Sequence, residues 1–258
     1  MKPAILLIDD NEEILEFLEE ELGEKYSLFK AVNGQEALQT LKQESIHLII
    51  SDVMMPEMDG FELCRVVKSD VEFSHIPIIL LTAKNTLQSK IEGLELGADA
   101  YIEKPFSPAH LQAQIANLLV NRNKIKEHFA NTPLAHIKSM ANTKADEHFL
   151  EELHHAIEEN LSDTELDVEK LAKLMAMSRP TFYRKISAIS NLTPNELIHI
   201  TRLKKAAELL ADGTHKIYEI IDQVGYQSQN NFTRSFQKQF GMTPTDYMKM
   251  KQQEKKAE

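Results

Sequence analysis

"AILLIDDNEE", residues 4–13, joins five consecutive apolar residues to two adjacent aspartates. An unbroken apolar run of that length reads as a strand covered on both faces. A carboxylate buried beside it is costly unless something pairs with it. Asp9 and Asp10 therefore require a counter-charge or a ligand at the end of that strand.

Working outward, residues 1–122 alternate in type. "AILLI", "SLFKAV", "IHLIIS", "IPIILLT" and "DAYIE" read as strands. Between and after them, "EEILEFLEEEL", "GQEALQTLKQ", "GFELCRVVKS", "TLQSKIEGLELG" and "PAHLQAQIANLLV" have helical spacing. Strands alternating with helices predict βαβ units, here an α/β doubly wound, five-stranded parallel sheet. Such sheets bind ligands beyond the carboxyl ends of their strands, where the strand order reverses. Those ends carry Asp9 and Asp10, Asp52, Thr82 and Lys104. Three close carboxylates repel one another, and a hard cation such as Mg²⁺, bound through oxygens, relieves the repulsion. Lys104 and Thr82 supply a charge and a hydroxyl for phosphoryl oxygens, so the rim predicts a phosphoryl-accepting carboxylate.

An Asp pair at a strand end can be a simple cap, but a cap does not predict Lys104 and Thr82 on the neighbouring strands. Tyr101 alone reads as an edge-strand aromatic, and Met54 as adaptable apolar filler. A Mg²⁺-dependent phosphohydrolase with an aspartyl nucleophile needs a D-x-D pair. Here Asn11 follows Asp9 and Asp10, and Met54 stands two after Asp52.

The segments "IDDNEE", "SDVMMPEMDG", "LTAK" and "EKPF", each at the end of its element, make residues 1–122 resemble the receiver domain of response regulators, a flavodoxin-like fold. The resemblance implies that Asp52 is the phosphoacceptor and that Asp9, Asp10, Asp52 and the Met54 backbone carbonyl surround Mg²⁺. It further implies that Thr82 and Tyr101 form a switch pair. Lys104, before a cis Pro105, would hold the phosphoryl group.

Charge divides the 258-residue chain. Residues 1–122 hold 10 Lys/Arg against 21 Asp/Glu, whereas 170–251 hold 13 against 6. An acidic half followed by a basic segment predicts two domains, one with a polyanionic partner. No apolar run approaches the ~20 residues of a membrane span, and "MKPAILLIDD" is too short and acidic for a signal peptide. The single Cys64 excludes an internal disulfide and fits a reducing cytoplasm.

Residues 123–145 read as a polar linker, and 146–254 as all-α. Shifted by 50, "MSRPTFYRKISAISNLTPNELI" (177–198) falls on "QSQNNFTRSFQKQFGMTPTDYM" (227–248). The same shift upstream sets Glu169, Leu171 and Leu174 on Glu219, Ile221 and Val224. Each copy is a helix, a turn and a second helix, with Ser178 and Ser228 placed as N-caps and Pro180 in a first turn. Phe182 with Ile186, and Phe232 with Phe236, stand four apart and should pack inward. Thr181, Tyr183 and Arg184 then face outward in one copy, and Gln229, Asn230, Thr233 and Arg234 in the other. Arg, Asn and Gln pair with base edges in the major groove, which makes these recognition helices. Arg202, Lys204 and Lys205 on the helix between them read either as phosphate contacts or as a solvated helix face. His148, Glu152 and His155 could share a helix face, but without a closed ligand set they read as solvated.

"RLKKAAELL" and "VGYQSQNNFTRSFQKQFGMTPTDY" make this region resemble the AraC-type DNA-binding domain, with two helix-turn-helix units. Asp222 and Pro180 depart from that pattern. The whole resembles a cytoplasmic two-component response regulator, and also the cytoplasmic C-terminal part of hybrid sensor regulators. Its expected partners are double-stranded DNA and a sensor histidine kinase, which in the hybrid case belongs to the same longer polypeptide. A homodimer is expected on phosphorylation, with no enzymatic turnover and no membrane contact by this segment. The alternative is a receiver-based interaction adaptor in a phosphorelay, whose basic repeat binds an acidic protein.

Overall fold

The computed structural model describes residues 2–83, 95–131, 137–141, 143–190 and 192–257, with backbone alone at 122–131 and 256–257. They divide into two compact units, 1–124 with 142–146 and 125–141 with 147–258.

The first unit holds β1 (Ala4–Ile8), β2 (Ser27–Ala31), β3 (Leu48–Asp52), β4 (Ile78–Thr82) and β5 (Ala100–Glu103). All pairings are parallel, in the order β2-β1-β3-β4-β5. Alternate residues of the central strands supply two separate cores. Leu6, Ile8, Ile49 and Leu80 pack with Leu63 and Val67 on one face. Ile5, Leu7, Ile50 and Leu81 pack with Leu18 and Ile115 on the other. That two-sided cover is why the strands read as continuous apolar runs.

Polar caps set where the helices begin. Asn11, Asn33 and Asp59 accept backbone N–H groups at the starts of α1 (Glu12–Leu22), α2 (Gly34–Gln43) and α3 (Gly60–Ser69). The helix expected from "TLQSKIEGLELG" falls largely on residues 84–94, outside the described residues. The next described helix, α4 (Pro108–Asn131), continues past residue 122 into the segment read as linker. No glycine or proline interrupts 109–131, and Pro133 is the next breaker.

The second unit continues with α5 (Lys144–Glu159), α6 (Val168–Leu174), α7 (Arg179–Ser190) and α8 (Pro194–Asp212). After these come α9 (Ile217–Gln223), α10 (Gln229–Phe240) and α11 (Pro244–Ala257). α6 with α7, and α9 with α10, are the two helix-turn-helix units. Each has its own core. Phe182 and Ile186 pack with Phe149, Leu171 and Ile198, whereas Phe232 and Phe236 pack with Leu203, Ile220 and Tyr247.

The offset of 50 holds for the second helices, but upstream of the turn the structure corrects it to 49. The N–H groups of Met175, Ala176 and Met177 donate to Leu171, Lys173 and Ala172, and those of Val224, Gly225 and Tyr226 to Ile220, Asp222 and Ile221. Leu171 therefore matches Ile220, and left-handed Ala176 (φ 53°) matches Gly225 (φ 68°). The expected pairing of Leu174 with Val224 fails on burial: Leu174 is 56% exposed and Val224 fully buried. The second turn holds one more residue before its second helix, α10. Ser178 caps α7 by accepting the N–H of Thr181 at 3.3 Å. Ser228 occupies the same position without a side-chain cap bond.

Candidate functional site

Strand order places the reversal between β1 and β3. Ile8 pairs with Ser51, so Asp9 and Asp52, one residue further along each chain, emerge side by side. Thr82 pairs with Glu103, and the Lys104 N–H donates to the Thr82 carbonyl at 2.7 Å, which sets Lys104 on the same rim. Asp9 and Asp52 are buried and Asp10 is exposed, and one oxygen from each lies within 4.8 Å of the others. Among the described residues this is the one such convergence of three or more metal-ligating side chains.

The Lys104 ammonium bridges the two buried carboxylates, 2.7 Å from Asp9 Oδ2 and 2.8 Å from Asp52 Oδ1. Burial opposes its charge, but the hydrogen bonds and charges of Asp52 and Asp9 outweigh burial and hold it above the ordinary lysine range. The Met54 N–H donates to Asp52 Oδ2 at 3.0 Å, and its side chain is 55% exposed. The Asn11 N–H donates to Asp9 Oδ1 at 3.0 Å. The Lys104–Pro105 peptide bond is cis. Thr82 is buried on β4. Tyr101 packs in the core that contains Leu80, and its buried hydroxyl has no hydrogen-bond partner among the described residues.

Gly60 belongs to the site although no side-chain chemistry marks it. A Cβ there would stand 2.2 Å from the Asp52 carbonyl oxygen, so only glycine lets α3 start against the end of β3. The signal was within reach, since Gly60 follows capping Asp59 in "SDVMMPEMDG".

In the helical unit, Tyr183, Gln229, Asn230 and Arg234 are exposed, and Thr181, Arg184 and Thr233 are half-buried. The two arginines at equivalent repeat positions are thus not equivalently placed. The central helix also differs from expectation. Arg202 turns inward, its Nη2 donating to the Asp163 carbonyl at 2.6 Å. Lys205 pairs with Glu208 at 3.3 Å and Glu158 at 3.5 Å. Lys204 is half-buried, and burial pushes its ammonium down to about 8. α8 is shared by both cores, so little of its surface is left for solvent. His148 and His155 face Glu152 and Glu159 in exposed i,i+4 pairs, and among the described residues they belong to no cluster of three or more metal-ligating groups.

Residues 5–116 match the response regulator receiver domain family, and residues 171–250 match a helix-turn-helix domain family. The first half is therefore a receiver domain. The chain thus joins a response regulator receiver domain to a helix-turn-helix domain of AraC type. It is 40% identical over 246 residues to "Histidine kinase P4" of Formosa agariphila, a match covering 95% of this chain and 18% of that protein. It is 45% identical over 117 residues to "Transcriptional regulatory protein GltR" of Pseudomonas aeruginosa, covering 45% of this chain and 48% of that one. Among solved structures, the receiver domain of a signal transduction histidine kinase from Syntrophus aciditrophicus is 38% identical, with a TM-score of 0.44. That match covers 46% of this chain and 91% of the other. The chain thus spans about a fifth and about half of the two curated relatives. No helix among the described residues is long and apolar enough to cross a membrane.

Proposed function

We propose that this chain is a phosphorylation-controlled, sequence-specific DNA-binding transcription regulator. A sensor histidine kinase transfers a phosphoryl group to Asp52, and the transfer switches DNA binding or drives homodimerisation. The observation that carries this reading is the convergence of Asp9, Asp10, Asp52 and Lys104 on one rim.

Asp52 has the attributes of an acceptor. Its side chain is buried at a strand end, one oxygen faces the Lys104 ammonium, and the other accepts the Met54 N–H. The carboxylate oxygen attacks phosphorus as the phosphorus–nitrogen bond of the donor histidine breaks, and the imidazole leaves with the bonding pair. Lys104 then has phosphoryl oxygens to hold in place of the carboxylate. The donor set fits Mg²⁺, which favours carboxylate oxygens with waters and a phosphoryl group. Asp9, Asp10, Asp52 and the Met54 carbonyl would hold it. When bound, the ion neutralises charge on the transferring group. Thr82 and Tyr101 are the proposed relay: Thr82 is buried at the end of β4, and Tyr101 on neighbouring β5 has a buried hydroxyl with no partner among the described residues, which is costly to leave unpaired.

On the helical unit, Arg234, Asn230 and Gln229 are proposed to read one major-groove segment. Arg184, Tyr183 and Thr181 would read another about 10 base pairs away. The half-buried Lys204 contributes to phosphate contact more weakly than an exposed lysine would. The test is labelling with a small phosphodonor. One group per chain, dependent on Mg²⁺ and absent in Asp52→Asn, is expected; undiminished labelling of that variant would overturn the assignment.

A further inference from the structure

The two helix-turn-helix units do not share a core. The side chains of α8 pass from one to the other: Leu197, Ile198 and Ile200 belong to the first cluster, and Leu203, Ala206, Ala207 and Leu210 to the second. The relative orientation of the units therefore rests on α8 itself and on whatever crosses beside it. Arg202 sits at the crossing, between Ile200 and Leu203.

Its guanidinium is half-buried and reaches both units. Nη2 donates to the Asp163 carbonyl at 2.6 Å, in the loop that leads into α6. Asp163 is tied to α6 in turn, since its carboxylate accepts from Lys170 Nζ at 3.1 Å. Against the same nitrogen lies the turn of the second unit. A Cβ on Gly225 would stand 2.9 Å from Arg202 Nη2 and 2.2 Å from the Leu161 carbonyl oxygen. The second turn thus lies directly on the loop before the first unit, with the guanidinium beside it. The next residue, Tyr226, is bonded to His199 on α8 at 2.9 Å, and its ring meets Phe232 of α10 edge-on at 5.3 Å. A continuous path of contacts runs from Lys170 through Asp163, Arg202 and Gly225 to the recognition helix α10.

We infer that Arg202 is a positioning residue that fixes the angle between the two recognition helices, and so the spacing of the DNA segments the chain reads. A guanidinium suits the task, because its planar fork is pre-organised and loses little side-chain freedom for each bond it forms. The loop and the turn meet through backbone atoms, which have no side-chain freedom to absorb a tilt. The DNA part of this inference rests on the proposed DNA reading; the orientation part does not.

The experiment has two arms and uses the full chain. Spin labels at Lys173→Cys and Gln223→Cys, one on the first helix of each unit, report the distance distribution between units without DNA. The buried Cys64 is shielded from labelling. Arg202→Met, similar in length but without charge or donors, should broaden that distribution. Arg202→Lys, which keeps the charge, should give an intermediate width and serves if the Met variant folds poorly. In the second arm, one base pair is inserted between the two segments of a bound duplex. A rigid pair of modules should lose roughly a hundredfold in affinity, because both can no longer engage at once. In Arg202→Met the loss should shrink to about tenfold or less, with affinity for a duplex carrying one segment unchanged. A distribution in Arg202→Met as narrow as in the parent overturns the inference whatever the DNA shows. Broadening in a protein without sequence-selective DNA binding upholds the orientation role and removes the DNA reading instead.

Discussion

The receiver rim and the outward faces of α7 and α10 are built in opposite ways. On the rim the charged groups already answer one another. Asp9 and Asp52 are buried, Lys104 bridges them, and backbone N–H groups of Asn11 and Met54 meet their remaining oxygens. On α10, Gln229, Asn230 and Arg234 extend into solvent from a helix whose other side is held by Phe232 and Phe236. A site for chemistry has its groups fixed before the partner arrives, so that no reorganisation is needed at the reacting atom. A reading surface leaves its donors to be completed by base edges, which is where its specificity comes from.

The two sites should therefore fail differently when altered. The largest effect is expected at Asp52, where Asn keeps the shape but removes the nucleophile, and labelling by a small phosphodonor should vanish altogether. Residual stoichiometric labelling would move the acceptor elsewhere and break the comparison at its first term.

Lys104→Met should come next, read as stability. Removing the bridge leaves two carboxylates facing each other without a counter-charge. The expected cost is about 3 kcal/mol in denaturant unfolding without divalent ions, at the lower end for a buried pair because Lys104 is 22% exposed. Mg²⁺ should restore part of it. The folded pKa of Lys104 is raised, so its contribution is complete at neutral pH and is lost as pH climbs through that value, above the ordinary 10.5. The variant should lack that alkaline loss, and an unchanged alkaline limb would count against the bridge.

On the reading surface, Arg234→Ala should cost roughly 1–3 kcal/mol of specific binding and relax the preference at its own segment, with little effect on folding. Arg184→Ala should also lower stability, because Arg184 is half-buried where Arg234 is exposed. Thermal melts beside binding isotherms separate the two effects. Equal stability of the two variants would mean that the burial difference has no energetic consequence.

A smaller effect is expected within the repeat. Ser178→Ala should destabilise its unit by about 1 kcal/mol through loss of a cap, and Ser228→Ala by only a few tenths. Equal losses in chemical denaturation would show that Ser228 caps its helix in solution.

What the sequence made legible follows the same division. The rim was readable because strand ends in a parallel sheet converge by topology alone, so residue types at those ends suffice. The first three helix starts were readable because the helical spacing sets in at Glu12, Gly34 and Gly60, where the structure begins these helices. The upstream repeat register was not, since one extra residue in the second turn leaves the anchors Ser178, Phe182, Ser228 and Phe232 aligned while it shifts everything before them. Arg202 was read as a phosphate contact because a charged residue on a helix looks solvated by default. That it points inward depends on the loop at Asp163, distant in sequence. The burial of Arg184 escaped for the same reason, since its counterpart Arg234 has identical chemistry and a different neighbourhood.

In the proposed function, chemistry at Asp52 controls DNA reading by α7 and α10. The direct measurement is the affinity of the full chain for a selected duplex at fixed salt, with and without a small phosphodonor and Mg²⁺, for the parent and for Asp52→Asn. Affinity or cooperativity should change on phosphorylation of the parent and stay constant in the variant. Identical binding by the phosphorylated and unphosphorylated parent would contradict the claim.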